Sequence, residues 1–290
     1  MNNLREINGR LRGIRKNQQI MSAMKMVAAV KLRRIQAVVQ LGRPYARRLD
    51  ALVRTLLDSD EGRVLQHPLL LRRNACRIIW IVISTDRGLC GSLNTNLFRF
   101  VQQALRERAG ASSVPALLLI GRKACDFFKR SHTKAVDFRI AQAYPLGEVP
   151  VEVIVRQLCD SYCQGQVDQV DLFYAQCKST LQQIPAKLAL LPIAPSVCPA
   201  DSSSKHARLF EPSPVTIADD LLPRYLASWV RQVLLEEQVS EHSARMVMMD
   251  QASKNASDMI SQIQLEYNSL RQGMITRELA DITTGVEAMA

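Results

Sequence analysis

The stretch from Arg224 to Gln272 holds neither proline nor glycine, and that leaves the chain few ways to fold. Ser213 followed by Pro214 reads as a helix N-cap with proline at the first helical position. Pro223 falls early enough to be a first-turns residue or a small break. A helix from Pro214 to Gly285 would span on the order of 100 Å at ~1.5 Å per residue. A single core built from 290 residues cannot cover such a rod, so most of it must pair with another helix or with other subunits. Leu222, Tyr225, Trp229, Ala256, Met259, Ile263, Leu270 and Met274 step mostly by three or four, as a paired helix requires.

The other end of the chain supplies a partner. Ile7, Leu11, Ile14, Gln18, Met21, Lys25, Ala28, Leu32, Ile35 and Val39 alternate steps of four and three, an a/d heptad series with polar breaks at Gln18 and Lys25. The helix is expected to continue past Gly42-Arg43-Pro44 with a bend and to end near Leu57. Charge supports the pairing. Residues 1–57 carry thirteen basic side chains against Glu6 and Asp50, whereas residues 214–290 carry six basic and eleven acidic ones. A basic and an acidic helix suit an antiparallel intrachain coiled coil.

The formal charge of +11 also raises nucleic acid as a partner. The basic run lacks interleaved aromatics, Tyr45 being alone there, and no nucleic-acid role is expected. Seven cysteines, odd in number and without a CxxC pair, indicate a reducing compartment and small buried hydrophobes. The four histidines are dispersed and fit no metal spacing, so no metal or cofactor site is expected. No apolar run approaches a membrane span, and the N-terminus has no signal-peptide core.

Between the rods the pattern changes to strand–helix alternation. Apolar runs at Arg77–Ser84 and Pro115–Ile120 read as strands, with further strands at Ala135–Ile140, Val170–Cys177 and Ala186–Ile193. Helical stretches at Leu93–Arg108, Lys123–Arg130 and Pro150–Tyr162 separate them, which indicates an α/β sheet with parallel members. The expected fold class is thus α/β: a long antiparallel coiled coil of the terminal helices plus a Rossmann-like domain. The expected domains are 1–57, 76–195 and 213–287, with a Pro/Ser-rich connector over 196–208. In the loop after the first strand, Asp86, Arg87, Gly88 and Gly91 stand where a dinucleotide fold keeps its phosphate loop. Their GxxG spacing matches no phosphate-binding fingerprint and no acid clearly serves a ribose, so a tight turn with helix N-capping is the better reading. Ser240-Glu241-His242-Ser243 lies inside the long helix, where neighbours point apart and cannot form a nucleophile–base pair.

Several stretches resemble the gamma subunit of F-type ATP synthases. They are Met21–Arg34 (MSAMKMVAAVKLRR), Ser84–Asn94 (STDRGLCGSLN), Phe210–Pro214, Leu221–Tyr225 and Ser240–Met246. Ala252–Asn255, Tyr267–Gln272 and Ile275–Leu279 continue the match in the same order. The resemblance implies a non-catalytic central rotor shaft that turns inside a hexamer of alpha and beta subunits. It implies an α/β foot against the epsilon subunit and the ring of c subunits, and no nucleotide or other cofactor held by the chain itself. It carries hexamer contacts onto Met24, Lys25, Met26, Arg271, Gln272, Thr276 and Glu278. A start directly at the helix suggests a bacterial member, peripheral to the inner membrane on its cytoplasmic side. Cys198 alone in the connector cannot form the thiol switch of chloroplast members. Two other classes stay open on the residues alone: a nucleotide-binding α/β enzyme resting on the Asp86–Ser92 loop, and a basic coiled-coil nucleic-acid scaffold resting on charge.

Overall fold

The computed structural model describes residues 2–58, 67–74, 76–108, 115–131, 139–144, 146, 149–193, 211 and 213–287. Its elements are α1 (Asn2–Asp58), a 3-10 turn (Pro68–Leu70), β1 (Ile78–Ile83), α2 (Leu93–Glu107), β2 (Ala116–Ile120), α3 (Arg122–Ser131), β3 (Arg139–Tyr144), α4 (Val151–Cys163), β4 (Gln169–Cys177), β5 (Gln183–Leu191) and α5 (Pro214–Glu287). Two compact units divide the chain, residues 1–30 with 245–290 and residues 31–244.

The first unit is a pair of helices. Moving toward the start of α1 moves toward the end of α5: Lys25 Nζ meets Asp250 Oδ1 at 2.6 Å, while Leu11 shares a groove with Gln264 and Tyr267. The helices therefore run antiparallel. On α1 the seam holds Ile7, Leu11, Ile14, Gln18, Met21, Met24 and Ala28, all buried or half-buried. Lys25 is not in it. Its side chain is 46% exposed, and Met24 takes the seam position instead. A step of three from Met21 keeps the apolar stripe on one face, and an ammonium group buried there would lose its hydration. On α5 the seam runs through Met249, Ala256, Ile260, Ile263, Tyr267 and Met274. Met259 is 51% exposed and Leu270 36% exposed, so neither serves as expected; Ile260 and Tyr267 keep the four–three spacing from Ala256 through Ile263. Ala28 and Ala256 are 2% and 6% exposed, and such small side chains let the backbones approach closely.

The second unit is built on a five-stranded sheet of order β3-β2-β1-β4-β5. The first four strands are parallel and β5 closes one edge antiparallel to β4. Strands covered on both faces read as continuous apolar runs, which explains IIWIVI in β1 and ALLLI in β2. On one face Trp80, Val82, Leu117, Leu119 and Phe173 pack against Leu97, Phe98 and Val101 of α2 and Phe128 of α3. On the other, Ile81, Ile83, Leu118, Ile120 and Leu172 meet α4 together with Leu49, Val53 and Leu56 of α1 and Leu222, Leu226 and Val230 of α5. Tyr225 donates a hydrogen bond to Asp50 at 3.1 Å in this layer.

Most boundaries follow the sequence pattern. β3 is described over Arg139–Tyr144, sharing residues 139–140 with the expected Ala135–Ile140, and residues 135–138 lie outside the described ones. β5 starts at Gln183, before the expected Ala186, because the turn at Ser179–Gln182 brings the chain back at once to pair with Cys177. Ser213 caps α5 as expected, its Oγ accepting from the Thr216 N–H at 3.3 Å. The helices run without interruption through Pro44 and Pro223.

Candidate functional site

Doubly wound sheets bind ligands where the strand order reverses, in the crevice beyond the carboxyl ends of the two strands flanking that point. Here the chain runs β1, β2, β3 to one side and then places β4 on the other, so the crevice lies between the ends of β1 and β4. The last β1–β4 pair is Val82 with Phe173, and β4 continues to Cys177 with β1 gone. Ala175 would then expose a backbone donor and acceptor. Helix α5 supplies both partners: Glu237 Oε2 accepts from the Ala175 N–H at 2.6 Å, and Ser240 Oγ donates to the Ala175 carbonyl at 2.6 Å. Cys90, Leu93 and Ala244 pack with Ala175 in a small buried cluster. Side chains of the chain's own helix thus take the place of the missing strand at Ala175.

The loop after β1 is organised for the same structural end. Asp86 does not face a ribose. Its Oδ1 accepts from the Arg122 N–H at 2.9 Å at the start of α3, and its Oδ2 accepts from the Leu146 N–H at 3.0 Å. Arg87 offers its carbonyl to the Thr85 hydroxyl at 2.7 Å. Gly91 takes a φ of +61° and Leu89 a φ of +64°, so the turn winds through left-handed backbone on either side of Cys90. Ser92 stands at the N-cap of α2 and makes no capping hydrogen bond through its side chain. Asn94 ties the turn instead, donating to Thr85 Oγ1 at 2.7 Å and to Cys90 Sγ at 3.3 Å. Gly88 sits beside Lys123, whose aliphatic carbon would be 3.9 Å from a Cβ there. Sequence reasoning missed the roles of Asn94, Glu237 and Ser240. Asn94 left a trace as the last residue of the STDRGLCGSLN stretch and Ser240 as the first of Ser240–Met246, whereas Glu237 left none.

The residues expected to touch the hexamer fall into two groups. On α1 Met24 is half-buried in the seam, Met26 is 69% exposed, and Lys25 lies between them in its ion pair. Asp250 also holds Lys254 at 3.0 Å, and its carboxyl is pulled below the usual range by hydrogen bonds from Lys25 and Lys254. On α5 Arg271 and Gln272 are exposed, and the Thr276 hydroxyl turns inward along the helix to the Gln272 carbonyl at 3.0 Å. The side chain of Glu278 lies outside the described ones. Asp250 and Arg271 are separated by roughly 30 Å of helix at ~1.5 Å per residue, so the two groups do not meet.

A family model described as ATP synthase matches residues 3–289. The chain is 40% identical over 291 residues to the ATP synthase gamma chain of Anaeromyxobacter dehalogenans, with all of both chains covered. It is 37% identical over 295 residues to that of Heliobacterium modesticaldum, again over the full length of each. This chain belongs to the ATP synthase gamma-chain family. Its fold agrees with that assignment. A chain of the Euglena gracilis mitochondrial ATP synthase OSCP/F1/c-ring assembly superposes with a TM-score of 0.68 at 18% identity, covering 99% of this chain and 95% of that one. In this chain Glu237 and Ser240 of α5 bond the backbone of Ala175 at the edge of the β1–β4 crevice, and among the described residues no helix is long and apolar enough to cross a membrane.

Proposed function

We infer that the chain is the central-stalk rotor subunit of an F-type ATP synthase, a non-catalytic part that couples ion flow through the membrane ring to ATP synthesis or hydrolysis. Full-length agreement with gamma chains is the observation that carries this reading. Its partners are the alpha and beta subunits of the hexamer, the epsilon subunit and the c-ring, and it reaches the membrane as a peripheral subunit of that complex. A position on the cytoplasmic side of a bacterial inner membrane fits the bacterial gamma chains it resembles at full length.

In this reading segment 76–195 is the foot, and 1–57 with 213–287 form the shaft. Met24, Lys25, Met26, Arg271, Gln272, Thr276 and Glu278 meet the hexamer. Exposed Met26 and the thioether of Met24 permit sliding contact. Exposed ion pairs are worth about 0–1 kcal/mol, and charged contacts of that size release in every cycle. The Lys25–Asp250 pair gives Lys25 a second role, holding one helix in register against the other. Deleting the chain after Arg271 tests the assignment. The truncated complex should lose ATP-driven ion pumping several-fold in membrane vesicles while its α/β unit melts as before; pumping at the full rate would contradict the contacts assigned to Gln272, Thr276 and Glu278.

A further inference from the structure

Glu237 lies on α5 with 0% exposure, and only one of its oxygens is satisfied. Oε2 takes the Ala175 N–H at 2.6 Å, whereas Oε1 has no hydrogen-bond partner. Among the described residues, the charged groups that act on it are both acids. On α5 its neighbours in sequence and on the next turn are Glu236 and Glu241, both acids. On β4 Tyr174 hydrogen-bonds Glu236 and also feels the charge of Glu237, Cys177 bonds Ser243 and Ser240 beside Glu236, and Ala175 meets Glu237, so β4 brings no cation to the site. Arg43 of α1 acts on Glu236 and not on Glu237. Cys90, from the loop before α2, adds a small sulfur-bearing wall beside Ala175. A buried carboxylate with no cation is costly, and a buried carboxylic acid much less so.

We propose that Glu237 and Ser240 form a proton-dependent latch where α5 crosses β4, the neutral carboxyl seating the helix on Ala175 and loss of its proton favouring release of the helix from the strand. The latch stands apart from the rotor reading, since it needs only the α5–β4 crossing. Burial, opposed by the Ala175 hydrogen bond and reinforced by Glu241 and Glu236, pushes the Glu237 carboxyl up to about 8. The sign follows from linkage. The released side chain returns to an ordinary carboxyl near 4.5 and binds fewer protons than the latched one across the interval between the two values. Latching is therefore strongest below about pH 4.5, weakens by up to tenfold per pH unit as pH rises, and levels off above about 8. At neutral pH the seated carboxyl still holds its proton. A change in local pH acts directly on the grip of α5 upon the sheet.

Hydrogen exchange of the full-length chain, read by mass spectrometry from pH 5.5 to 9 and corrected for intrinsic exchange, tests this. Protection of β4 residues 173–177, relative to β1 residues 79–82, should fall by up to tenfold per pH unit and flatten above about pH 8. In Glu237→Gln, which keeps a carbonyl for Ala175 and cannot ionise, the ratio should be flat. Equal slopes in both proteins, or a flat ratio in the wild type, would overturn the latch. If Glu237→Gln does not fold, the wild-type ratio alone decides.

Discussion

Gly121→Ala is expected to remove most of the stability of the α/β unit. Gly121 follows β2 with a φ of +96°, and a Cβ added there would lie 2.1 Å from the Ser84 carbonyl oxygen and 2.6 Å from its hydroxyl. Neither neighbour can yield. Ser84 donates its N–H to Ile120 at 2.8 Å, its hydroxyl bonds the Ile120 carbonyl at 3.2 Å, and the same oxygen accepts from the Ala124 N–H at 2.9 Å at the start of α3. Left-handed backbone alone costs a non-glycine residue roughly 1–2 kcal/mol. Relieving the clash by parting the ends of β1 and β2 would break several buried hydrogen bonds at about 1–3 kcal/mol each. A total near or above 4 kcal/mol is a large share of a domain's ~5–15 kcal/mol. Urea denaturation should show a sharply lowered midpoint or no cooperative transition. A loss under 1 kcal/mol would mean that Ser84 and Gly121 are not in this contact.

The second large effect separates the two environments of α5. Leu222 is 0% exposed and packs in the layer with Leu49, Val53 and Leu56 of α1 beneath the sheet. Leu265, on the same helix, is 71% exposed. Leu222→Ala should cost about 3–4 kcal/mol, the transfer term plus the cavity left behind, whereas Leu265→Ala should change stability by no more than ~0.5 kcal/mol. Chemical denaturation of both variants gives the comparison. Similar costs at the two positions would show that α5 is not anchored on the sheet through its first turns.

These contrasts show where the sequence was readable and where it was not. Periodicity located the five α-helices and strands β1, β2, β4 and β5, because a buried parallel strand and an amphipathic helix impose different repeats on their apolar residues. The expected third strand overlaps β3 only at residues 139–140, and the 3-10 turn at Pro68–Leu70 was not foreseen. Seam membership on the long helices was harder. Lys25 and Met24 are adjacent, as are Met259 and Ile260, and a four–three template accepts either neighbour until packing chooses. Asp86 stood out by its position after β1, yet its role as a cap for α3 and Leu146 depends on Arg122 and Leu146, distant in the chain. Glu237 could not be singled out at all. It is one of eleven acids in the last segment, and its burial follows from β4 outrunning β1 at Ala175, a relation no local pattern encodes. The contact residues on α5 beyond Arg271 rest on family resemblance, since an exposed helix face carries no packing signal.

The central claim is that this chain turns within its hexamer. Single-molecule observation of the assembled alpha–beta hexamer, fixed to a surface, reads that directly when a probe is attached to the exposed β4–β5 turn at Leu181, which is 78% exposed. On addition of ATP the probe should rotate stepwise in one sense, at a rate set by hydrolysis. Steady hydrolysis with a stationary probe would contradict the account.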